Sequence, residues 1–175
     1  MAFLSQFGDF DASSLDLLQR ILLISDGTLT DTLEAAFLEP IALRKVALEI
    51  VPAGGPNPEL ELVGGESVME RKIFLCGEAS GRRYVYAESV LVLDRLPARF
   101  RGELVESNMP MGRLWSEHKL ETWKELLAVE RHPMGNLAAC FGTVDGDCLV
   151  RRYRVISGGR PLMSIAEHFP ATYRD

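Results

Sequence analysis

The segment from Leu149 to Pro170, LVRRYRVISGGRPLMSIAEHFP, constrains this chain more than any other. Two apolar runs flank Gly158-Gly159, a pair suited to the positive φ angles of a tight turn, so the segment reads as a β-hairpin. In its second run Leu162, Ser164, Ala166 and His168 share one parity, and Met163, Ile165, Glu167 and Phe169 share the other. Successive side chains of a strand point to opposite faces, which puts Glu167 among the most apolar residues. A carboxylate there is costly unless something pairs with it. An arginine meets the same difficulty in Val68 to Leu75, where Met69, Arg71, Ile73 and Leu75 form a face that is apolar except for Arg71. Two readings stay open on parity alone. Arg71 and Glu167 could form a buried structural ion pair, or they could line a pocket in which Arg71 holds an anion and Glu167 makes a second polar contact.

The chain has 175 residues, enough for one domain with a sizeable core. At 47% hydrophobic and 25% charged, the composition is that of an ordinary globular protein. The net charge of -6, with no basic tract, argues against a general nucleic-acid binder but permits an anionic small molecule held by a few arginines. Cys76, Cys140 and Cys148 are widely spaced and form no CxxC, so neither a disulfide framework nor a zinc site is expected. Reduced thiols in a cytoplasmic protein are the plain reading. His118, His132 and His168 show no ligand spacing, and no metal is expected. Residues 1 to 10 lack a basic n-region, and the apolar run Ile21 to Ile24 is too short to span a membrane.

Along the chain, residues 1–11 carry no periodic signal and are expected to form a loose tail on a single domain covering 1–175. Ser13 or Ser14 then caps a helix from about Leu15 to Ile24. Asp31 with Glu34 reads as a capping box for a second helix, Thr32 to Leu38, so that SDGTLT makes a helix-turn-helix corner. Strands are expected at Ile41 to Val51, Val68 to Cys76, Arg83 to Leu93 and Cys148 to Ile156, with the closing hairpin last. The Pro- and Gly-rich stretch Pro52 to Gly65 reads as a loop within the domain. Pro97 opens a helix to about Glu106. After a break at Asn108 to Gly112, the stripe Leu120, Trp123, Leu126 and Leu127 predicts a further helix from Leu114 to Glu130, followed by an irregular segment from Arg131 to Gly135. Hairpin connections between most strands favour an α+β domain, an antiparallel β-sheet with helices packed on one face.

Four separated pieces, in order, resemble the chorismate pyruvate-lyase family, including its distant bacterial and archaeal relatives. Asp26-Gly27-Thr28-Leu29-Thr30 with Leu33-Glu34 resembles the corner of a first flap. Glu70 to Cys76, with Ala87-Glu88-Ser89-Val90, resembles the arginine strand and its partner. Met109-Pro110-Met111-Gly112-Arg113-Leu114 resembles the second flap, with Met111 where leucine is usual. Arg151 to Arg154, Gly159 to Leu162 and Ala166 to Pro170 resemble the closing hairpin. The region from His132 to Cys148 has no clear match.

The resemblance implies conversion of chorismate to 4-hydroxybenzoate and pyruvate without metal or organic cofactor, under two helix-turn-helix flaps that cover a buried ligand pocket. It implies that Arg71 grips the ring carboxylate, that Glu167 meets the 4-hydroxyl, and that backbone N–H groups of Leu29 and Met111 complete the carboxylate site. The parity of Arg151 with Leu149, Tyr153 and Val155 aims it either at a second carboxylate or at a structural role. Small-molecule substrate and product are the expected partners, with neither nucleic acid nor membrane. The competing reading is a non-catalytic sensor of aromatic acids. Effector domains of some transcription regulators look like the same fold and carry an N-terminal winged helix; with about a dozen residues before the first helix here, a regulator is expected to need a separate DNA-binding partner.

Overall fold

The computed structural model describes residues 11–106, 109–143, 146–170 and 172–173. Most of the expected tail therefore lies outside the described residues, as do Asn108 of the expected break and Asp145 of the expected turn before the last hairpin. The chain runs α1 (Leu17–Ile24), α2 (Leu29–Phe37), β1 (Ile41–Pro52), β2 (Ser67–Gly77), β3 (Arg83–Val92), α3 (Ala98–Glu106), α4 (Met111–Glu117), β4 (Trp123–Pro133), α5 (Leu137–Cys140), β5 (Asp147–Ser157) and β6 (Arg160–Pro170). The six strands form one antiparallel sheet in the order β1-β2-β3-β6-β5-β4.

That order divides the domain into two similar halves. A helix pair followed by a three-stranded meander occurs twice, and the last strands of the two meanders, β3 and β6, meet at the centre. Arg71 is the fifth residue of β2 and Arg151 the fifth residue of β5, the middle strand of each meander. Both helix pairs lie over one face of the sheet. Leu22, Leu23 and Leu33 of the first pair pack on Leu43, Ile73, Leu75 and Val85. Phe100, Leu104 and Leu114 of the second pack on Met69, Leu91 and Met163. The expected one-sided arrangement thus holds for the four longer helices. The four-residue α5 covers the reverse face with its Ala138 against Cys148 and Val150. The Pro- and Gly-rich segment before β2 folds onto the same reverse face through buried Leu60 and Leu62.

Three local expectations are corrected. The N-cap of α1 is Asp16, in a capping box with Gln19, while Ser13 and Ser14 belong to a preceding 3-10 turn tied to Asp11. Helix α2 begins three residues before the predicted start. Its Glu34 carboxylate does not turn back to a cap but accepts from the Ile41 N–H and from Arg113 of α4. The largest difference is the helix predicted from Leu114 to Glu130. Helix α4 ends at Glu117, Lys119 adopts a left-handed φ of 50°, and the chain enters edge strand β4, which runs through the expected irregular segment as far as Pro133. Strong helix formers such as Leu, Lys, Glu and Ala fill this strand, and pairing with β5 overrides their propensity. The adjacent Leu126 and Leu127 mimic a helical stripe because a bulge between Leu126 and Ala128 interrupts the alternation.

The hairpin itself is as the sequence reads: Gly158 and Gly159 take φ of 56° and 77°, and Ser157 pairs with Arg160. Among the described residues, no helix is long and apolar enough to cross a membrane.

Candidate active site

A cavity of about 350 Å³ lies between the sheet and the two helix pairs. Arg71 and Glu167 both line it, as do the first residues of α2 and α4, Leu29 and Met111. Each of these four sequence-derived positions therefore borders one space. Strand register explains how the two charged residues come to share it. Arg71 pairs with Ser89, Ser89 with Ile165, and Glu167 lies two residues further along β6, on the same face.

The two arginines of equivalent position meet different fates. Arg151 lies directly across from Glu167, and its Nε and Nη2 donate to Glu167 Oε2 at 2.9 and 2.6 Å. Its Nη1 donates to the main-chain carbonyls of Leu22 (2.5 Å), Leu23 (3.3 Å) and Ser25 (3.0 Å), which are acceptors at the C-terminal end of α1. Burial pulls its pKa down, but Glu167, with Tyr153 and Asp26, together outweigh that and hold it above the ordinary value. Arg151 does not line the larger cavity; its donors tie the sheet to the first helix pair.

Arg71 has no such partner. Across from it stands Ser89 instead of a carboxylate. Its side chain is 2% exposed, yet Nε and Nη2 have no hydrogen-bond partner among the described residues. Burial alone pushes its pKa down to about 10, so the guanidinium stays charged at neutral pH. Thr30, whose buried Oγ1 also has no partner among the described residues, lines the same cavity. A structural ion pair between Arg71 and Glu167, one of the two readings of the sequence, is not what forms.

Glu167 is 4% exposed and takes three hydrogen bonds, two from Arg151 and one from the Tyr153 hydroxyl to Oε1 at 2.8 Å. A carboxylate oxygen has two acceptor positions. Oε2 is filled, and Oε1 keeps one for a further donor. Burial first, and Glu167 second, raise the Tyr153 pKa well above the ordinary value, so its hydroxyl remains a proton donor.

Two lysines that sequence reasoning passed over add to the positive side. Lys124 of β4 lines the cavity, and its Nζ donates to the carbonyls of Asp26 and Gly27 at 3.0 Å each. Lys45 of β1 donates to the Val105 carbonyl at 3.0 Å, and its pKa is lowered by burial and then by the charge of Arg71. The signal for Lys124 was hidden by the helix assigned to its segment.

The two flaps touch each other above the cavity. A Cβ on Gly112 would lie 2.7 Å from Thr28 Cγ2, closer than packing allows, so glycine is what lets α4 approach the corner before α2. Arg113 and Glu34 pair across the same contact at 2.6 Å. Among the described residues no cluster of three or more His, Cys, Asp or Glu could hold a metal ion.

Domains of transcription regulators among solved structures share the fold. The effector domain of PhnF from Mycobacterium smegmatis matches with a TM-score of 0.63 at 14% identity, over 84% of this chain and 90% of that one. The C-terminal domain of the histidine utilization repressor from Pseudomonas syringae pv. tomato matches at 0.59 and 14%, over 77% and 94%. At such identities the likeness is one of fold alone. Sequence relationships are more specific. The family model of Rv2949c-like chorismate pyruvate-lyases matches residues 23–174, and this chain belongs to that family. A chorismate pyruvate-lyase of Mycobacterium tuberculosis is 34% identical over 162 residues, covering 89% of this chain and 81% of the relative. One of Mycobacterium leprae is 32% identical over 157 residues, covering 89% and 75%.

Proposed function

We propose that this protein is a cytoplasmic chorismate pyruvate-lyase that converts chorismate to 4-hydroxybenzoate and pyruvate, using neither metal nor organic cofactor. The observation that carries the reading is the buried Arg71 guanidinium with two unanswered donors, facing a cavity it shares with Glu167. A lone buried cation is expensive unless an anion answers it. Two strand spacings of about 4.8 Å and two rises of about 3.3 Å separate Arg71 from Glu167 by about 12 Å between backbones, room for one aromatic ring between their side chains. The ring carboxylate sits in the fork of Arg71, where a guanidinium offers two parallel donors. The N–H groups of Leu29 and Met111, at the starts of α2 and α4, face the same carboxylate. The open acceptor position on Glu167 Oε1 receives the 4-hydroxyl.

Chorismate becomes aromatic on losing its enolpyruvyl ether and a ring proton, so much of the driving force resides in the substrate. The protein's share is to hold the reactive geometry and exclude water. Arg71, Lys119 and Lys124 outnumber Asp26 and Glu167 among the charged residues that line the cavity, within a chain of net charge -6, which suits a dianion. Names of the curated relatives support the same reaction.

The test is to incubate purified protein with chorismate and measure pyruvate and 4-hydroxybenzoate. Equal amounts of both are expected. Chorismate left intact across a range of pH, with 4-hydroxybenzoate still bound, would replace the enzyme with a ligand sensor of the same fold.

A further inference from the structure

Chorismate carries two carboxylates, and Arg71 answers only one. The second belongs to the enolpyruvyl arm, on the ring carbon next to the one bearing the 4-hydroxyl. If the ring carboxylate lies at Arg71 and the hydroxyl at Glu167, the arm must project from the Glu167 end. The protein group met there is Lys124. Its Nζ lies 5.4 Å from the centre of the Tyr153 ring, whose hydroxyl is bonded to Glu167. Lys124 also borders a second, smaller cavity of about 260 Å³, which shares Asp26, Lys124 and Tyr153 with the larger one and continues past Arg151 to Leu23 and Ile24.

The ammonium is poorly answered. Its two acceptors are neutral main-chain carbonyls, and among the described residues no carboxylate lies within ion-pair distance. An ammonium has three donors, so one remains. Burial lowers its pKa despite the opposing pull of Glu167, as expected for a cation lacking a close anion. Arg151 cannot take this place while its three nitrogens are held by Glu167 and the end of α1.

We propose that Lys124 binds the enolpyruvyl carboxylate, with the smaller cavity receiving that arm. This inference rests on the chorismate reading. It makes Lys124 the residue that distinguishes substrate from product, because 4-hydroxybenzoate has lost the group Lys124 holds.

The experiment compares wild-type protein with Lys124→Met, which keeps an unbranched stem beside Tyr153, and with Lys124→Arg. KM for chorismate should rise at least tenfold in Lys124→Met and be partly restored in Lys124→Arg. The Kd of 4-hydroxybenzoate should change less than threefold. A Lys124 that only anchors the corner between α1 and α2 predicts that both ligands weaken together, and that result overturns the inference, as does an unchanged KM. Wild-type protein that leaves chorismate intact defeats the lyase reading itself, an outcome distinct from active wild type with an indifferent Lys124 variant.

Discussion

Replacing Arg71 by methionine sets two roles of a buried charge against each other. The side chain is 2% exposed and leaves Nε and Nη2 unsatisfied. A buried donor without a partner costs about 1–3 kcal/mol, and Arg71→Met removes that cost while keeping the unbranched stem. Glu167 is not stranded, because its partners are Arg151 and Tyr153. With two such atoms, the free protein should gain about 2–6 kcal/mol, a rise in Tm of at least several degrees at about 2–4 °C per kcal/mol for a domain of this size. Ligand binding should move the other way. Two hydrogen bonds from a charged donor to a carboxylate are worth about 1.5–3 kcal/mol each, so the Kd of 4-hydroxybenzoate should rise by about 100- to 20,000-fold. Thermal melting and calorimetric titration on the same preparation measure both. A Tm lowered by five degrees or more with product affinity intact would refute the reasoning, since Arg71 would then be a structural cation.

Three further changes probe the surrounding parts. Arg151→Met should cost about 3–5 kcal/mol in denaturant unfolding, because it leaves Glu167 buried without its cation and strips the end of α1 of its donor; a loss under 1 kcal/mol contradicts this. Ser89→Glu places a carboxylate across from Arg71 as Glu167 stands across from Arg151, and should abolish 4-hydroxybenzoate binding while keeping or raising Tm; retained affinity speaks against Arg71 as the anion site. Gly112→Ala should push the flaps apart and speed product dissociation in stopped flow, with Thr28→Ser in the same chain restoring it by removing the methyl that clashes; equal off-rates in all three proteins would show that flap contact does not limit release.

What the sequence could disclose depended on whether a local rule survived contact with the sheet. Alternation in β2 and β6 is regular around Arg71 and Glu167, so parity alone placed both on the covered face. The partner of Glu167 was not legible, for a definable reason. Counting back from the Gly158-Gly159 turn without interruption would set Arg151 against Ala166. The register shift between Val155 and Ile156 moves it one residue, to Glu167. A second bulge in β4, together with helix-forming residues on an edge strand whose Trp123 is 55% exposed, made that strand read as a helix and hid Lys124. Thr30 and Ser89 carry no signal in a single sequence, because their significance is that they lack a partner and stand opposite Arg71 respectively. The flap corners were recognised by resemblance, whereas the steric need for Gly112 appears only when Thr28 is seen against it.

The central claim is that one aromatic acid is held at both ends, by Arg71 at its carboxylate and by Glu167 at its hydroxyl. The most direct measurement is a calorimetric comparison of 4-hydroxybenzoate, benzoate and 4-hydroxybenzyl alcohol on wild-type protein. The account predicts that benzoate binds about tenfold more weakly than 4-hydroxybenzoate, having lost one hydrogen bond to a charged acceptor worth about 1.5 kcal/mol. The uncharged alcohol should bind at least 100-fold more weakly. Equal affinity for the acid and the alcohol would contradict the claim.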